Sequence, residues 1–211
     1  MLGLVYQPIV FFHARLTTPP SWWLALGGPL GCAALAMVSH AILSEKIAGP
    51  IVATAVGSRS LLTSLQYMGV VNAAFVYVVV WLTASAFMMS FDVVTGGTTD
   101  VPRILEGNAL AFYSQLPWLA MLIALAAAFE PPAAWMLDGP IATAADLERF
   151  KRLLQQDPFL ATVRGLNECF AVWLYVLFGV SYHAATRCTL PGSLLLALTT
   201  YVIFHLLSVL F

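Results

Sequence analysis

Three ionisable side chains, His40, Glu168 and His205, are the residues of this sequence best suited to chemistry, because each lies in or beside a long apolar run. Two imidazoles and a carboxylate can ligate a transition metal or pass protons. If the helices that carry them adjoin, these side chains would form a metal site or a proton relay at one membrane face. The interpretation we favour is simpler: each histidine lies at an interface with its polar tip in water.

A wider set of residues qualifies as candidate packing or functional positions. They are Asn72, Asp92, Arg103, Tyr113, Gln115, Pro117, Arg164, Glu168 and His183. An ionisable group at membrane depth is a functional hypothesis because its burial is costly. For Glu168, a pair with Arg164 one helical turn earlier is a sufficient structural explanation. Asn72 and Gln115 are better suited to hydrogen bonding between helices than to catalysis.

Motifs for other chemistry are missing from the sequence. It contains no HExxH zinc motif, no phosphate-binding loop, and no GxSxG with triad partners. Cys32, Cys169 and Cys188 lie far apart without CxxC spacing, so we expect small buried residues and no redox or metal chemistry. We therefore expect no cofactor and no enzymatic activity.

Composition defines the elements that must position these side chains. The chain is 61% hydrophobic and only 9% charged, whereas an ordinary soluble protein carries about a quarter charged residues. Its charges cluster and leave five uncharged runs, each at least about 18 residues long, enough for a helix to cross a bilayer. The pattern predicts an all-α, polytopic membrane helical bundle with five transmembrane helices. No basic stripe suggests nucleic acid as a partner.

The five spans and one amphipathic helix are expected to form a single membrane domain over residues 1–211. The spans are predicted at about 22–44, 66–91, 108–129, 166–186 and 190–211, and the amphipathic helix at about 143–156. Residues 1–21 are expected to be a short lead-in. The linker at 45–65 includes a short apolar segment interrupted by Pro50, which we expect to be membrane-dipping or interfacial and not a sixth span.

The amphipathic helix is predicted from the segment TAADLERFKRLLQQ, which Thr143 and Asp146 would open in the manner of a capping box. Apolar residues recur at helical spacing and charged residues cover the other side. The apolar side chains are Leu147, Phe150, Leu153 and Leu154, and the polar ones are Glu148, Arg149, Lys151, Arg152 and Gln155. Such a helix normally lies in the lipid headgroup region. Docking of a partner is the alternative, and the two are compatible.

The stretch TGGTTDVPRILEGNALAFYSQLP at 95–117 is predicted to be a boundary and not a ligand loop. After a turn, Asp100 or Thr99 would cap a short helix, and Arg103 would pair with both Asp100 and Glu106. Gly107 and Asn108 would then lead into the third span. A proline within that span, Pro117, is tolerable if neighbouring helices or the Ser114 hydroxyl satisfy the carbonyl that it frees.

The distribution of Lys and Arg residues gives only a weak indication of which side of the membrane each loop faces. With five spans, the N-terminus, the 92–106 loop and the 187–192 turn share one side, which carries three Lys and Arg residues. The other side carries six, so the positive-inside rule places the C-terminus in the cytoplasm. If the charge of the amino terminus is counted as well, the first side has four positive charges and the other side has six.

Three segments resemble the Yip1-domain family of five-span membrane proteins. They are YSQLP at 113–117 in the third span, the region around Phe170, Trp173 and Gly179 in the fourth, and PSWWLALGGP at the start of the first. The acidic-Leu-aromatic-Gly-Pro motif of the eukaryotic members is not present. The resemblance therefore does not carry over their association with Rab GTPases. It implies a prokaryotic-type member in a cytoplasmic membrane, and its family's cytoplasmic N-terminus opposes the charge count.

The resemblance implies a non-enzymatic scaffold or accessory factor for a membrane transport, export or trafficking system. Expected partners are the lipid bilayer and other membrane proteins, such as an ABC-type transporter, or a second copy of the chain. One alternative is a small transporter or channel subunit in which Asn72, Gln115 and Glu168 line a path. The other is an intramembrane metal-dependent enzyme that uses His40, Glu168 and His205.

Overall fold

The computed structural model describes residues 2–54, 59–97, 100–133, 144–186 and 188–210, and every regular element within these ranges is helical. In chain order the α-helices are α1 (Leu2–Tyr6), α2 (Pro8–Leu16), α3 (Trp22–Thr54), α4 (Arg59–Val94), α5 (Val101–Ala111), α6 (Leu116–Ala128), α7 (Ala144–Gln156), α8 (Pro158–Ala185) and α9 (Leu190–Leu210). A 3-10 turn at Phe112–Ser114 joins α5 to α6.

Within the described ranges, four segments are long and apolar enough to cross a membrane. They are Trp22–Ile47, Gln66–Val94, Val101–Ala128, which includes the 3-10 turn, and Pro158–Ala185. The last helix, α9, contributes a shorter apolar stretch over Leu190–Leu206. The chain is therefore a multi-pass helical membrane protein with four spans supported by length and composition. The fifth predicted span stays a prediction.

Two helix starts use an aspartate followed by a proline. The Asp100 carboxylate accepts a hydrogen bond from the backbone N–H of Arg103 at 3.2 Å, and Asp157 accepts one from Leu160 at 2.9 Å. A proline follows in the first turn of each helix. Its missing N–H costs nothing there, because N–H groups in the first turn have no intrahelical acceptor. These caps fix the starts of α5 and α8, and Asp100 is the cap that the sequence predicted.

The first face of the bundle is defined by contacts among α2, the end of α4, the start of α5 and the end of α8. The pairs that form it are Arg15–Glu106, His13–His183 and Asp92–Tyr182. The second face is formed by the C-terminal parts of α3 and α6 and by the N-terminal parts of α4 and α8. Its pairs are Gln66–Ser44, Lys46–Ala127 and Phe129–Phe159.

The residues before the first span are helical and pack into the bundle. The structure folds them into α1 and α2, and Leu4, Phe12 and Leu16 are almost fully buried. Helix α2 packs against α8 and also contacts α5. The prediction of a simple lead-in was wrong because these apolar residues are spaced on helical faces that find partners only in the tertiary structure.

Two predicted boundaries also need correction. Helix α3 continues through Pro50 to Thr54, so the predicted interfacial segment is largely a helical extension, and residues 55–58 lie outside the described ranges. Gly107 and Asn108 lie inside α5 and do not separate two helices. The third span is instead interrupted at the 3-10 turn, where the chain carries the YSQLP motif.

The predicted amphipathic helix is observed as α7, Ala144–Gln156, and the predicted first residue, 143, lies outside the described ranges. Leu153 and Leu154 are half-buried, whereas Glu148, Arg149, Lys151 and Arg152 are exposed. Its opening Thr143 and the side chains of Asp146, Leu147 and Phe150 lie outside the described residues, so the capping box is untested. Leu154 contributes to a cavity bordered by α8, which places the apolar side of α7 toward the bundle.

Candidate functional site

The most enclosed polar cluster of the described chain surrounds Asn108, whose side chain is fully buried. Its amide nitrogen donates to Ser85 Oγ at 3.0 Å, and Ser181 Oγ donates to its carbonyl oxygen at 2.8 Å. The three residues belong to α5, α4 and α8, so one amide joins three helices. With both partners satisfied, the cluster holds the bundle together and presents no free group for catalysis.

Close backbone packing brings α8 to this amide. A Cβ atom at Gly107 would lie 3.2 Å from Ser181 Cβ, so a larger side chain at that position would push the two helices apart. The amide of Asn108 was not among the predicted candidates. The signal that could have found it is a single amide beside a glycine at the start of an apolar run.

The predicted ion pairs around Arg103 are only half present. Arg103 Nε lies 2.9 Å from Asp100, as expected, but Glu106 pairs with Arg15 of α2, with an N–O distance of 2.5 Å. Glu106 also accepts a hydrogen bond from the backbone N–H of Ser21 at 3.0 Å. Local spacing favoured Arg103, but Glu106 is 2% exposed and points to the inner side of α5, away from the solvated Arg103.

Asp92 lies in the last turn of α4, and its carboxylate accepts a hydrogen bond from Tyr182 at 3.4 Å. Gly96 adopts a left-handed backbone, with φ of 75°, and a Cβ at Gly97 would lie 2.2 Å from an Asp92 oxygen. The glycines therefore let the turn fold tightly over the carboxylate. Asp92 and Tyr182 line an open cavity of about 670 Å³ on the first face.

Two histidines, one from α2 and one from α8, meet at the first face. The rings of His13 and His183 are 5.7 Å apart in an edge-to-face arrangement, and His183 Nδ1 lies 2.7 Å from the Cys188 carbonyl oxygen. These contacts tie α2 and the turn after α8 together. Both residues thus have a structural role at this face.

The YSQLP motif makes contacts to two other spans. Tyr113 donates to the Leu24 carbonyl at 3.2 Å, and its hydroxyl occupies the space that a Cβ at Gly27 would take. Gln115 is buried and donates to the Phe170 carbonyl at 3.0 Å. The motif therefore fastens the third span to the first and fourth through backbone carbonyls.

Pro117 is the second residue of α6, directly after the 3-10 turn. A proline is tolerated there because the first helical turn needs no N–H from it. Ser114 does not compensate for Pro117 as proposed, because its hydroxyl donates to the Ala111 carbonyl at 2.8 Å. The interruption of the helix is what accommodates the proline.

The metal hypothesis joined His40, Glu168 and His205, and the structure brings two of them toward one side chain. Tyr201 donates to Glu168 at 3.0 Å, and its ring stacks on His205 with centroids 5.8 Å apart. His40 lies elsewhere, where α3 packs on Gly69 of α4. Within the described residues there is no group of three His, Cys, Asp or Glu side chains that could hold a metal ion.

Arg164 does not pair with Glu168, contrary to the favoured explanation. Glu168 is bonded by Tyr201 of α9, whereas Arg164 lines a cavity with His40 and Asn167. No ion pair or hydrogen bond joins the Arg164 side chain to any residue that the structure describes. The two side chains have different neighbours because α9 lies against one side of α8 and the cavity against another.

Asn72 is exposed on the outer surface of α4, in a shallow apolar groove of about 360 Å³. The groove is formed by Tyr67, Met68, Val71 and Phe75, each at least 61% exposed. In the described part of the chain its amide has no hydrogen-bond partner. An exposed amide amid large apolar side chains distinguishes this surface from the rest of the span.

The cysteines fit the prediction only in part. Cys32 is fully buried and donates to the Phe112 carbonyl at 3.2 Å, but Cys169 is exposed and Cys188 is half-buried. Cys169 faces outward because the inner positions of α8 near it are taken by Phe170 and Trp173. All three thiols are free.

Comparison with known proteins found no matching family model, no matching curated protein and no matching solved structure. The resemblance to the Yip1-domain family therefore stays a prediction drawn from the residues. The unpartnered amide of Asn72 and guanidinium of Arg164 are the features of the described residues that point to a binding role.

Proposed function

We propose that this chain is a non-enzymatic scaffold or accessory factor of a membrane transport or export system, which holds a transmembrane helix of a partner protein against α4. The observation that carries the proposal is the exposed amide of Asn72. In hydrocarbon, an amide without a partner is costly, and a neighbouring helix that offers a donor and an acceptor removes the cost.

The groove around Asn72 suits a helix as its occupant. Tyr67, Val71 and Phe75 recur at intervals of four residues along α4, so they form a ridge that another helix can pack beside. The ridge and the amide together offer van der Waals contact and a hydrogen bond, which are the main sources of helix association in a bilayer. Lipid tails could make van der Waals contact with the ridge, but they could not hydrogen-bond to the Asn72 amide.

The alternative of a polar path is less well supported by the contacts of its residues. Gln115 is buried against Phe170, and Glu168 is bonded to Tyr201 between α8 and α9. Asn72 lies on the outer surface of α4 in a groove lined mainly by apolar residues. The three residues thus have separate neighbours, whereas a transport path would need them to share one.

The resemblance to the Yip1-domain family supports the same proposal and supplies the kind of partner. The resemblance implies, for some prokaryotic-type members, an association with ABC-type exporters, so a membrane subunit of such a transporter is the proposed partner. The proposed location is a prokaryotic cytoplasmic membrane. The motif on which the resemblance depends, YSQLP, joins three spans through carbonyl contacts, which is a suitable role for a scaffold.

The experiment is affinity purification in mild detergent, followed by mass spectrometry of the proteins that co-purify. We expect a transporter subunit with the unmodified chain and its loss with Asn72→Leu. The matched control is Thr199→Val, because Thr199 is also exposed on an apolar helix but donates to its own helix at Leu195.

Reproducible recovery of no other protein would contradict the proposal, as would full retention of the partner by Asn72→Leu. Asn72→Cys labelled with a thiol-reactive photocrosslinker, with Cys169 and Cys188 replaced by serine, adds a second test, because the activated label would bond to a helix seated in the groove. Crosslinking only to a second copy of this chain would replace the accessory role with self-association.

A further inference from the structure

A second cavity lies on the second face of the bundle and is independent of the groove around Asn72. It has a volume of about 510 Å³, within the range of ligand pockets, and is bordered by α3, α4, α6 and α8, with Leu154 of α7 at its edge. Its wall is mostly apolar, with Ala73, Leu119 and Leu122 among its residues. An apolar ligand portion could therefore enter it from the lipid.

Two basic side chains, His40 and Arg164, line this cavity and have no hydrogen-bond or ion-pair partner among the described residues. Asn167 beside them is bonded, since it accepts from Trp118 Nε1 at 3.4 Å. Arg164 is exposed, so its guanidinium is accessible to an anion, and a phosphate is the group that its planar fork binds best. The cavity thus combines an apolar wall with a cationic end.

The cationic end lies near the level of lipid headgroups. Arg164 is six residues into α8, about 9 Å from the start of that helix. Helix α7 directly precedes α8, and an amphipathic helix of its composition lies in the headgroup region. Its exposed Arg149 would attract anionic lipids to the same area.

We propose that this cavity binds one anionic glycerophospholipid, with its phosphate at Arg164 and His40 and an acyl chain along the wall formed by Ala73, Leu119 and Leu122. A small soluble anion would leave the apolar wall exposed to water. A zwitterionic lipid would bring its own cationic headgroup beside Arg164. An anionic lipid satisfies both the charge and the apolar surface.

The test is native mass spectrometry of the full chain released from nanodiscs that contain equal amounts of phosphatidylglycerol and phosphatidylcholine. We expect one retained phosphatidylglycerol per chain. Arg164→Gln should lower this occupancy about tenfold, and His40→Gln should lower it less because the imidazole offers the phosphate a single hydrogen bond. Ala73→Leu should lower it as well, because a larger side chain fills the acyl groove while leaving Arg164 in place.

Arg152→Gln is the matched control, because it removes the same charge from an exposed position that does not line the cavity. It should retain the lipid, and melting temperatures of all variants establish that they are folded. Unchanged occupancy in both Arg164→Gln and Ala73→Leu would overturn the proposal. So would equal retention of the two lipids, equal loss in Arg152→Gln, or displacement of the lipid by millimolar inorganic phosphate.

Discussion

Asn108 shows how one amide can specify a helix arrangement in a bundle whose other interior contacts are largely apolar. Apolar side chains tolerate many packings, but a buried amide has directional donors and acceptors that few arrangements satisfy. Ser85 on one side and Ser181 on the other provide that match. The rotation of α4 and α8 about α5 is therefore fixed by hydrogen bonds as well as by packing.

Replacing Asn108 with leucine should destabilise the protein by about 1–2 kcal/mol, because Ser85 loses its partner and Ser181 keeps only a bond within its own helix. The measurement is the free energy of unfolding in mixed detergent micelles. The control is Ser90→Ala, whose hydroxyl is exposed and bonded only to Ala86. Equal stability of the two variants would show that the network contributes little.

The ion pair between Arg15 and Glu106 yields a second prediction. Arg15→Gln leaves the 2% exposed carboxylate of Glu106 without its cation and should cost about 2–4 kcal/mol. Adding Glu106→Gln should recover much of that loss, because the buried charge is then removed. Unfolding free energies of the single and double variants measure this coupling.

Arg103→Gln serves as the comparison for that series. Its pair with Asp100 is more exposed, with side chains 29% and 43% accessible, so its loss should cost less than about 1 kcal/mol. If Arg15→Gln and Arg103→Gln were equally mild, or if the double variant were no better than Arg15→Gln, the buried pair would not have the importance that its geometry indicates.

Among the elements, the contact of α3 with α5 depends on glycine. A Cβ at Gly28 would lie 2.3 Å from the Ala109 carbonyl oxygen, which is backbone and cannot move without its helix. Gly28→Ala should therefore cost about 1–3 kcal/mol of unfolding free energy, despite the better helix propensity of alanine. The measurement is again unfolding in mixed micelles.

Gly31→Ala is the matched control in the same helix. Its added Cβ would meet only the end of the Leu116 side chain at 3.4 Å, which is ordinary contact. This variant should be neutral or more stable by up to about 1 kcal/mol. A Gly28→Ala variant as stable as Gly31→Ala would mean that α3 and α5 can separate freely.

The sequence predicted the long elements well because their signal is composition, which survives any tertiary arrangement. The amphipathic α7 and the Asp100 cap were also within reach, since their patterns are local. Close packing at Gly27 and Gly28 could be anticipated from two adjacent small residues. The partners of Glu106 and Glu168 could not, because Arg15 and Tyr201 are distant in sequence and become neighbours only through helix packing.

At the scale of the whole molecule, the number of crossings is the property that most needs measurement. Reporters fused in turn to the two ends of the chain should lie on opposite sides of the membrane if α9 forms a fifth span. Alkaline phosphatase and green fluorescent protein activities in a bacterial host provide the readout. Reporters found on the same side would reduce the protein to four spans and leave α9 at a surface.

The candidate sites were only partly predictable for a related reason. The sequence marked Arg164 and Asn72 as polar residues in predicted spans or beside them. Their importance comes from the lack of a hydrogen-bond or ion-pair partner among the described residues. Whether a side chain finds a partner depends on every helix around it, and spacing along one helix cannot supply that information. The carboxylate expected to neutralise Arg164 is instead bonded by Tyr201.

The length of α4 has a consequence for the bilayer itself. Its apolar segment Gln66–Val94 contains 29 residues, about 43 Å of helix, whereas a typical hydrocarbon core is about 30 Å thick. The helix must therefore tilt strongly, extend beyond the core, or thicken the surrounding lipid. The acyl-chain length of the lipids would then change the tilt of α4. The angle at which α4 presents Asn72 would therefore differ between thin and thick membranes.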